Sequence, residues 1–271
     1  NRKDLDQHKI DRIKKILNGK KQKVSWESKT MNVLIPMAGR GSRFATQGYT
    51  FPKPLIDVKG KPMIQVVVDN LNIKAKYTFI VQKEHYEKYS LQYLLNLIAP
   101  DCNIVQVDGI TEGAACTTLL AKEFIDNDEP LLMANSDQFV EWDSNETLYA
   151  FSNGDCDGGI LTFPASHPKW SYAKLDDDGF VSEVAEKKPI SEHATVGVYW
   201  WKKGSDYVKY AEQMIEKNIR TNGEFYVCPV FNEAIGDDKR VRIKEIDKDG
   251  MWGIGTPEDL NYFLKNYEGD I

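Results

Sequence analysis

Apolar and polar positions alternate in blocks along this chain, and the blocks read as strands and helices taking turns. Val33–Met37 is a short apolar run of strand type, and Met63–Leu71 (MIQVVVDNL) follows the turn at Lys59–Pro62 as a helix. Tyr77–Gln82 (YTFIVQ) is a second strand. His85–Ile98 carries Tyr86, Tyr89, Tyr93, Leu94 and Leu97 at helical intervals, and Asn103–Val107 is a third strand. Glu112–Phe124 reads as a helix with Ala114, Ala115, Leu119 and Leu120 turned inward. Pro130–Ala134 (PLLMA) is apolar throughout and is expected at the centre of a sheet. Alternation of this kind predicts an α/β fold: a Rossmann-like mixed sheet, mainly parallel, flanked by helices on both faces.

The texture changes after about residue 150. GGILTFPA, SYAKLD, VSEVAEK and TVGVYWW are strand-like pieces joined by turns such as Asp176–Gly179, so an antiparallel or mixed extension of the sheet is expected. Ser205–Lys217 and Pro257–Asn266 read as helices, the latter with Thr256 as N-cap and Pro257 at its first position.

Residues 1–30 are a different kind of sequence. They hold 10 Lys/Arg against 4 Asp/Glu, whereas the whole chain of 271 residues carries a formal charge of −6. Ile10, Ile13, Ile16 and Leu17 fall at helical spacing, and Gly19 with Lys20, Lys21 and Lys23 reads as a helix end and linker. Two regions are therefore expected: a basic helical linker, or the end of an upstream domain, over 1–30, and one domain over 31–271. Met31 sits where a free-standing domain would begin.

The acidity of the remainder argues against a nucleic-acid partner, which calls for a basic surface. No apolar run reaches the length of a membrane span, and no signal peptide is visible. Cys102, Cys116, Cys156 and Cys228 are scattered, with no C-x-x-C pair, and read as thiols in a reducing cytoplasm.

The chemistry begins where the first strand ends. Ligands of open α/β sheets bind at the carboxyl ends of the strands. There the chain runs GRGSRF over 39–44, then Pro52-Lys53-Pro54-Leu55. Glycines let backbone N–H groups approach an anion closely. The run fits neither the Walker pattern nor the dinucleotide fingerprint.

G-x-G-x-R-F, P-K-P-L and I-D-V-x-G-K-P-M-I in this order resemble the sugar-phosphate nucleotidyltransferase family. So do Asn135-Ser136-Asp137, Glu186-Lys187-Lys188-Pro189 and Gly255–Leu260 (GTPEDL). The resemblance spans roughly residues 31–265 and is strongest over 31–66. It is also similar to a branch encoded in bacterial capsule loci. It implies a single-domain nucleotidyltransferase fold of GT-A-like type, and transfer of an NMP from an NTP to a phosphorylated acceptor with release of pyrophosphate. The partners implied are the NTP and a sugar phosphate or phospho-alcohol; a homo-oligomer is compatible with the sequence but not specified by it.

The resemblance assigns Arg43 to the β/γ-phosphates, Lys53 to the reacting phosphates, and Asp137 to Mg²⁺. Met37, Ala38, Gly39, Gly41, Gln82, Glu112, Gly113, Ala114 and Ser136 would border the nucleotide. Lys188, with Lys187 as the other reading, would hold the acceptor's phosphate, and Glu186, Tyr172 and the stretch from Asn222 to Tyr226 (NGEFY) would line the acceptor pocket. Trp200 and Trp201 are expected to pack, and His85, His167 and His193 to stay out of the chemistry. The family's second metal aspartate falls on Gly253. Asp247 or Asp249 would replace it, or phosphates complete the site, or turnover is impaired. Two other functions fit parts of the pattern: a nucleotide-sugar-dependent glycosyltransferase, and a non-catalytic nucleotide-binding relative.

Overall fold

The computed structural model describes residues 24–39 and 41–271. The helix and linker expected before residue 24 lie outside them.

β1 (Trp26–Pro36) starts well before Val33. Its first half is half-exposed, with a bulge between Glu27 and Asn32, so it lacks the apolar run by which a buried strand is recognised. β2 (Ile73–Gln82) and β3 (Asn103–Val107) follow in parallel pairing beside β1. β4 (Leu131–Ala134) pairs parallel with the other side of β1, at Val33↔Leu132. All four β4 residues are buried, which bears out its central place. β5 (Gln138–Val140) is short and follows the turn that carries Asp137.

The later pieces form β6 (Gly158–Pro164), β7 (Ser171–Leu175), β8 (Val181–Glu186), β9 (His193–Trp201), β10 (Val241–Glu245) and β11 (Met251–Gly253). Nine strands make one sheet, in the order β8-β7-β9-β4-β1-β2-β3, with β6 joining β9 and β10. β9 runs antiparallel to β4, so the parallel half ends there and the mixed extension begins. β5 and β11 pair with each other, Gly253 opposite Gln138. β5, β10 and β11 are too short or too polar to stand out from the sequence.

The helices are α1 (Ser42–Thr46), α2 (Met63–Leu71), α3 (Lys83–Tyr89), α4 (Leu91–Ile98) and α5 (Ala114–Leu119). They continue with α6 (Lys122–Ile125), α7 (Ser144–Asn153), α8 (Gly204–Glu216), α9 (Val230–Gly236) and α10 (Pro257–Asn266). The single helix expected over 85–98 is two, because Ser90 adopts a left-handed φ of 49° and ends the first. The helix expected over 112–124 is also two. Ala115 is buried, Ala114 is exposed, and Leu120 stays exposed rather than packing inward.

Each face of the sheet is covered. Ile64, Val68, Leu71, Leu91 and Leu95 pack with Val33 and Ile35 on one side. Tyr207, Met214, Phe231 and Trp201 pack with Leu34 and Ile80 on the other. Trp201 lies parallel to Phe231, ring centroids 4.3 Å apart, so the packing reading of the tryptophans holds. A third cluster joins Phe44, Phe139, Ile254 and Phe263, and ties α1 and α10 to the β5–β11 ribbon. Among the described residues no helix is long and apolar enough to cross a membrane.

Candidate active site

At the carboxyl ends of β1 and β4 the sheet opens into a cleft of about 700 Å³. The loop after β1 forms its roof. Gly41 sits at φ 59°, a conformation that costs a glycine little, and caps α1. A Cβ there would lie 3.0 Å from the Cβ of Lys53, so the missing side chain lets the loop settle on the lysine's segment. Phe44 anchors α1 in the third cluster, edge-on to Tyr49 at 5.0 Å. Arg43, one residue earlier on the same turn, is thereby held at the cleft.

Lys53 starts a one-turn 3₁₀ segment, Lys53–Leu55, closed by the Leu55 N–H to the Pro52 carbonyl at 2.8 Å. Its ammonium donates to Asp137 Oδ2 at 2.8 Å. The two side chains come from the loop after β1 and the turn after β4, 84 residues apart. The Asp137 carbonyl accepts from the Ile254 N–H at 3.0 Å, which fastens the turn to the chain beyond β11. Gly255 makes room for the carboxylate: a Cβ there would come closer than 3.0 Å to Asp137 Oδ2.

One end of the cleft is lined by Gln82 and small residues. The Gln82 amide nitrogen donates to the carbonyls of Ala38 and Gly109, which joins the loops after β1 and β3. With both amide hydrogens committed, what Gln82 offers a ligand is its carbonyl oxygen, an acceptor. Gly113 has φ 138°, and a Cβ there would run into the Phe225 backbone. The Ala115 N–H donates to the Phe225 carbonyl at 2.9 Å, so α5 starts flush against that strand-like segment. Gly113, Ala114 and Thr117 line this end.

The other end is walled by Lys169, Trp170, Ser171, Glu186, Lys187 and Tyr226. Ser171 donates to the Glu186 carboxylate. Burial raises the pKa of Glu186 above the usual carboxylate value, while the Ser171 hydroxyl and Lys187 oppose the shift. Lys187 holds φ 56°, donates to the Tyr226 hydroxyl and lies over that ring at 4.5 Å. Lys169 lies over Trp170 at 4.6 Å.

The structure therefore gathers Ala38, Gly39, Arg43, Lys53, Gln82, Gly113, Ala114, Ser136, Asp137 and Glu186 on one cleft. It does not gather all the residues expected there; Gly41, for one, shapes the loop as the cap of α1 without lining the cleft. Lys187 rather than Lys188 faces the cleft, because the left-handed turn at 187 sends the chain out immediately after it. Tyr172 is fully buried, with its hydroxyl donating to the His167 carbonyl at 2.7 Å. Of the expected stretch from Asn222 to Tyr226, Asn222 sits in the turn of the 221–224 bridge, whereas Glu224 and Tyr226 line the cleft as expected. Met37 is core, its N–H continuing the sheet to Ile80. Glu112 points outward and pairs with Arg220.

Asp247 and Asp249, candidates for a second acid, do not line the cleft, whereas Asp259 does. Lys169, Trp170, Ser171 and Asp259 were not singled out by the sequence. Asp259 lies inside the quoted GTPEDL run, but no spacing distinguishes it from Glu258. None of His85, His167 and His193 lines the cleft.

Asp137 and Asp259 offer carboxylate oxygens, the donor type Mg²⁺ takes. Among the described residues no group of three or more acidic, histidine or cysteine side chains is placed to hold a metal ion. The donor set thus fits a hard cation that completes its shell with phosphate oxygens and water.

Comparison with known proteins agrees with this geometry. The bifunctional protein GlmU of Methanocaldococcus jannaschii is 26% identical over 251 residues, covering 89% of this chain and 56% of that protein. The low-salt glycan biosynthesis nucleotidyltransferase Agl11 of Haloferax volcanii is 26% identical over 240 residues, 85% of this chain and 64% of that one. The chain thus spans between half and two thirds of these relatives. The crystal structure of the nucleoside-diphosphate-sugar pyrophosphorylase from Vibrio cholerae RC9 superposes with a TM-score of 0.74 at 24% identity, covering 86% of this chain and 100% of that one. Residues 32–268 match the family described as Nucleotidyl transferase, and with that match over most of its length the chain belongs to the nucleotidyl transferase family.

Proposed function

We propose that this chain transfers an NMP from an NTP to a phosphorylated small-molecule acceptor and releases pyrophosphate. The observation that carries the reading is the meeting of Lys53 and Asp137 beneath the Gly39–Arg43 loop. A phosphate-seeking cation and a metal-seeking carboxylate share one point in a cleft bordered by a second cation, Arg43.

An acceptor phosphate oxygen attacks the α-phosphorus; the new P–O bond forms as the bond to the β-phosphate oxygen breaks, and the electron pair leaves on pyrophosphate. The acceptor phosphate is already anionic near neutrality, so the attack needs no general base. The barrier is the approach of like charges and the charge spread over the phosphoryl oxygens. Arg43, forked and permanently charged, suits the departing pyrophosphate. Lys53, a compact point charge, suits the α-phosphate. Asp137 would hold Mg²⁺, which when bound supplies charge neutralisation of the phosphates. Lys187 pairs with the acceptor's phosphate, and Glu186 with Ser171 hydrogen-bonds its hydroxyls. The end bordered by Gln82 and Gly113 takes the base.

The acceptor is a sugar phosphate or a phospho-alcohol, and the activated product serves capsule or surface polysaccharide synthesis in the cytoplasm. A relative named for glycan biosynthesis supports this direction.

The test is pyrophosphate release with Mg²⁺, each NTP and a panel of hexose 1-phosphates, phosphocholine and glycerol phosphate. Release that needs both substrates and disappears in Lys53→Ala and Asp137→Asn is expected. Glycosyl transfer from a nucleotide sugar, with no pyrophosphate from any pair, would overturn the reading.

A further inference from the structure

We propose that Asp259, from the first turn of α10, supplies the second carboxylate to the divalent cation held by Asp137. The inference rests on the metal-assisted transfer reading above.

Gly253 and Gly255 both line the cleft, while Ile254 between them is fully buried in the third cluster. The two glycines therefore border the cleft on either side of a buried residue, one at the end of β11 and one just past it. Each faces one carboxylate. A Cβ on Gly255 would clash with Asp137 Oδ2, and a Cβ on Gly253 would touch Asp259 Oδ2 at 3.5 Å.

That second contact is of ordinary van der Waals length, so Gly253 and Asp259 are direct neighbours, and without a side chain at 253 Asp259 is the acid at this point of the cleft. Its backbone is set by the Thr256 cap, at 3.1 Å, while its side chain remains 42% exposed and able to turn.

Both carboxylates now face a lysine: Lys53 at 2.8 Å from Asp137 and Lys169 at 3.8 Å from Asp259. A divalent cation between the aspartates replaces both ammonium groups and leaves each lysine to a phosphate. The other two acids on the cleft are placed elsewhere. Glu186 is held by Ser171, and Glu224 sits on the 221–224 turn.

The test is a titration of the full chain with Mn²⁺ alone, free Mn²⁺ being read by its paramagnetic resonance signal. Native protein is expected to bind one ion. Asp137→Asn and Asp259→Asn should each weaken binding roughly tenfold or more, with thermal melting confirming that each variant folds. Lys169→Ala, which removes only the partner of Asp259, should bind at least as tightly as native. Adding Gly253→Asp to Asp259→Asn should restore the ion.

Native-like binding by Asp259→Asn, alongside loss in Asp137→Asn, would overturn the inference and make Asp259 a holder of Lys169. So would native protein that binds no Mn²⁺ yet releases pyrophosphate in a Mn²⁺-dependent way, and that result leaves the transfer reading standing. Binding that needs both aspartates, without pyrophosphate release from any pair, supports the inference and overturns the transfer reading.

Discussion

The Lys53 ammonium donates to Asp137 Oδ2 at 2.8 Å, with side chains 19% and 30% exposed. This contact spans the cleft from the roof loop to the turn after the central strand. It joins the two groups on which the proposed chemistry depends.

Replacing either partner should separate activity from stability. A partly exposed ion pair contributes about 0–1 kcal/mol, so Lys53→Met should shift the melting temperature little. Loss of a cation aimed at transition-state charge costs roughly 10²–10³ in rate. Pyrophosphate release and thermal melting on the same variant check both halves.

Gly255→Ala should act through Asp137. The added methyl group overlaps the carboxylate, so the aspartate or the 253–255 segment has to move. Destabilisation of about 1–3 kcal/mol is expected from overpacking, together with a fall in turnover larger than the fall in stability explains. Steady-state rates and denaturant unfolding measure the two.

Lys187→Ala should raise the KM for the acceptor about tenfold, the effect of one lost charge-assisted contact. Lys188→Ala should leave it near native, because that side chain is outside the cleft. Equal effects from the two variants would contradict the placement of Lys187.

Glu186 should give stability a pH dependence of defined sign. Burial raises its folded value above the ordinary 4.5, so the folded chain holds the proton more tightly than the unfolded one. This contribution to stability is present below pH 4.5 and is lost as pH rises through the raised folded value. Glu186→Gln should flatten that part of the profile and raise the melting temperature at neutral pH. Melting curves at a series of pH values test the sign.

Thr256→Ala should remove the cap of α10. The Thr256 oxygen accepts from the Asp259 N–H at 3.1 Å, and caps of this kind contribute about 1 kcal/mol. For a chain of this size that corresponds to roughly 2–4 °C in the melting temperature, which scanning calorimetry resolves.

Local regularity was legible wherever one physical demand dominated. Met63–Leu71, Asn103–Val107 and Pro257–Asn266 have the bounds their patterns predict: the first has an apolar helical face, the second is rich in β-branched residues, and the last has a cap and proline at its start. β1 was under-read because its first half is polar and half-exposed, so only pairing with Ile73 and Lys74 reveals it. The break at Ser90 was invisible because a left-handed serine carries no periodic signal.

The sequence by itself determined the layered α/β plan and the loop-to-Lys53 stretch, since strand and helix periods and glycine punctuation are local properties. It also singled out Asp137 and Glu186 through short motifs. The tertiary structure alone decided that Lys187 faces the cleft and Lys188 does not, because one left-handed residue sets the direction of everything after it. It alone placed Lys169 and Asp259, 90 residues apart in the chain, across one cleft. Contacts between distant segments depend on how the layers pack, and nothing in the neighbouring residues records that.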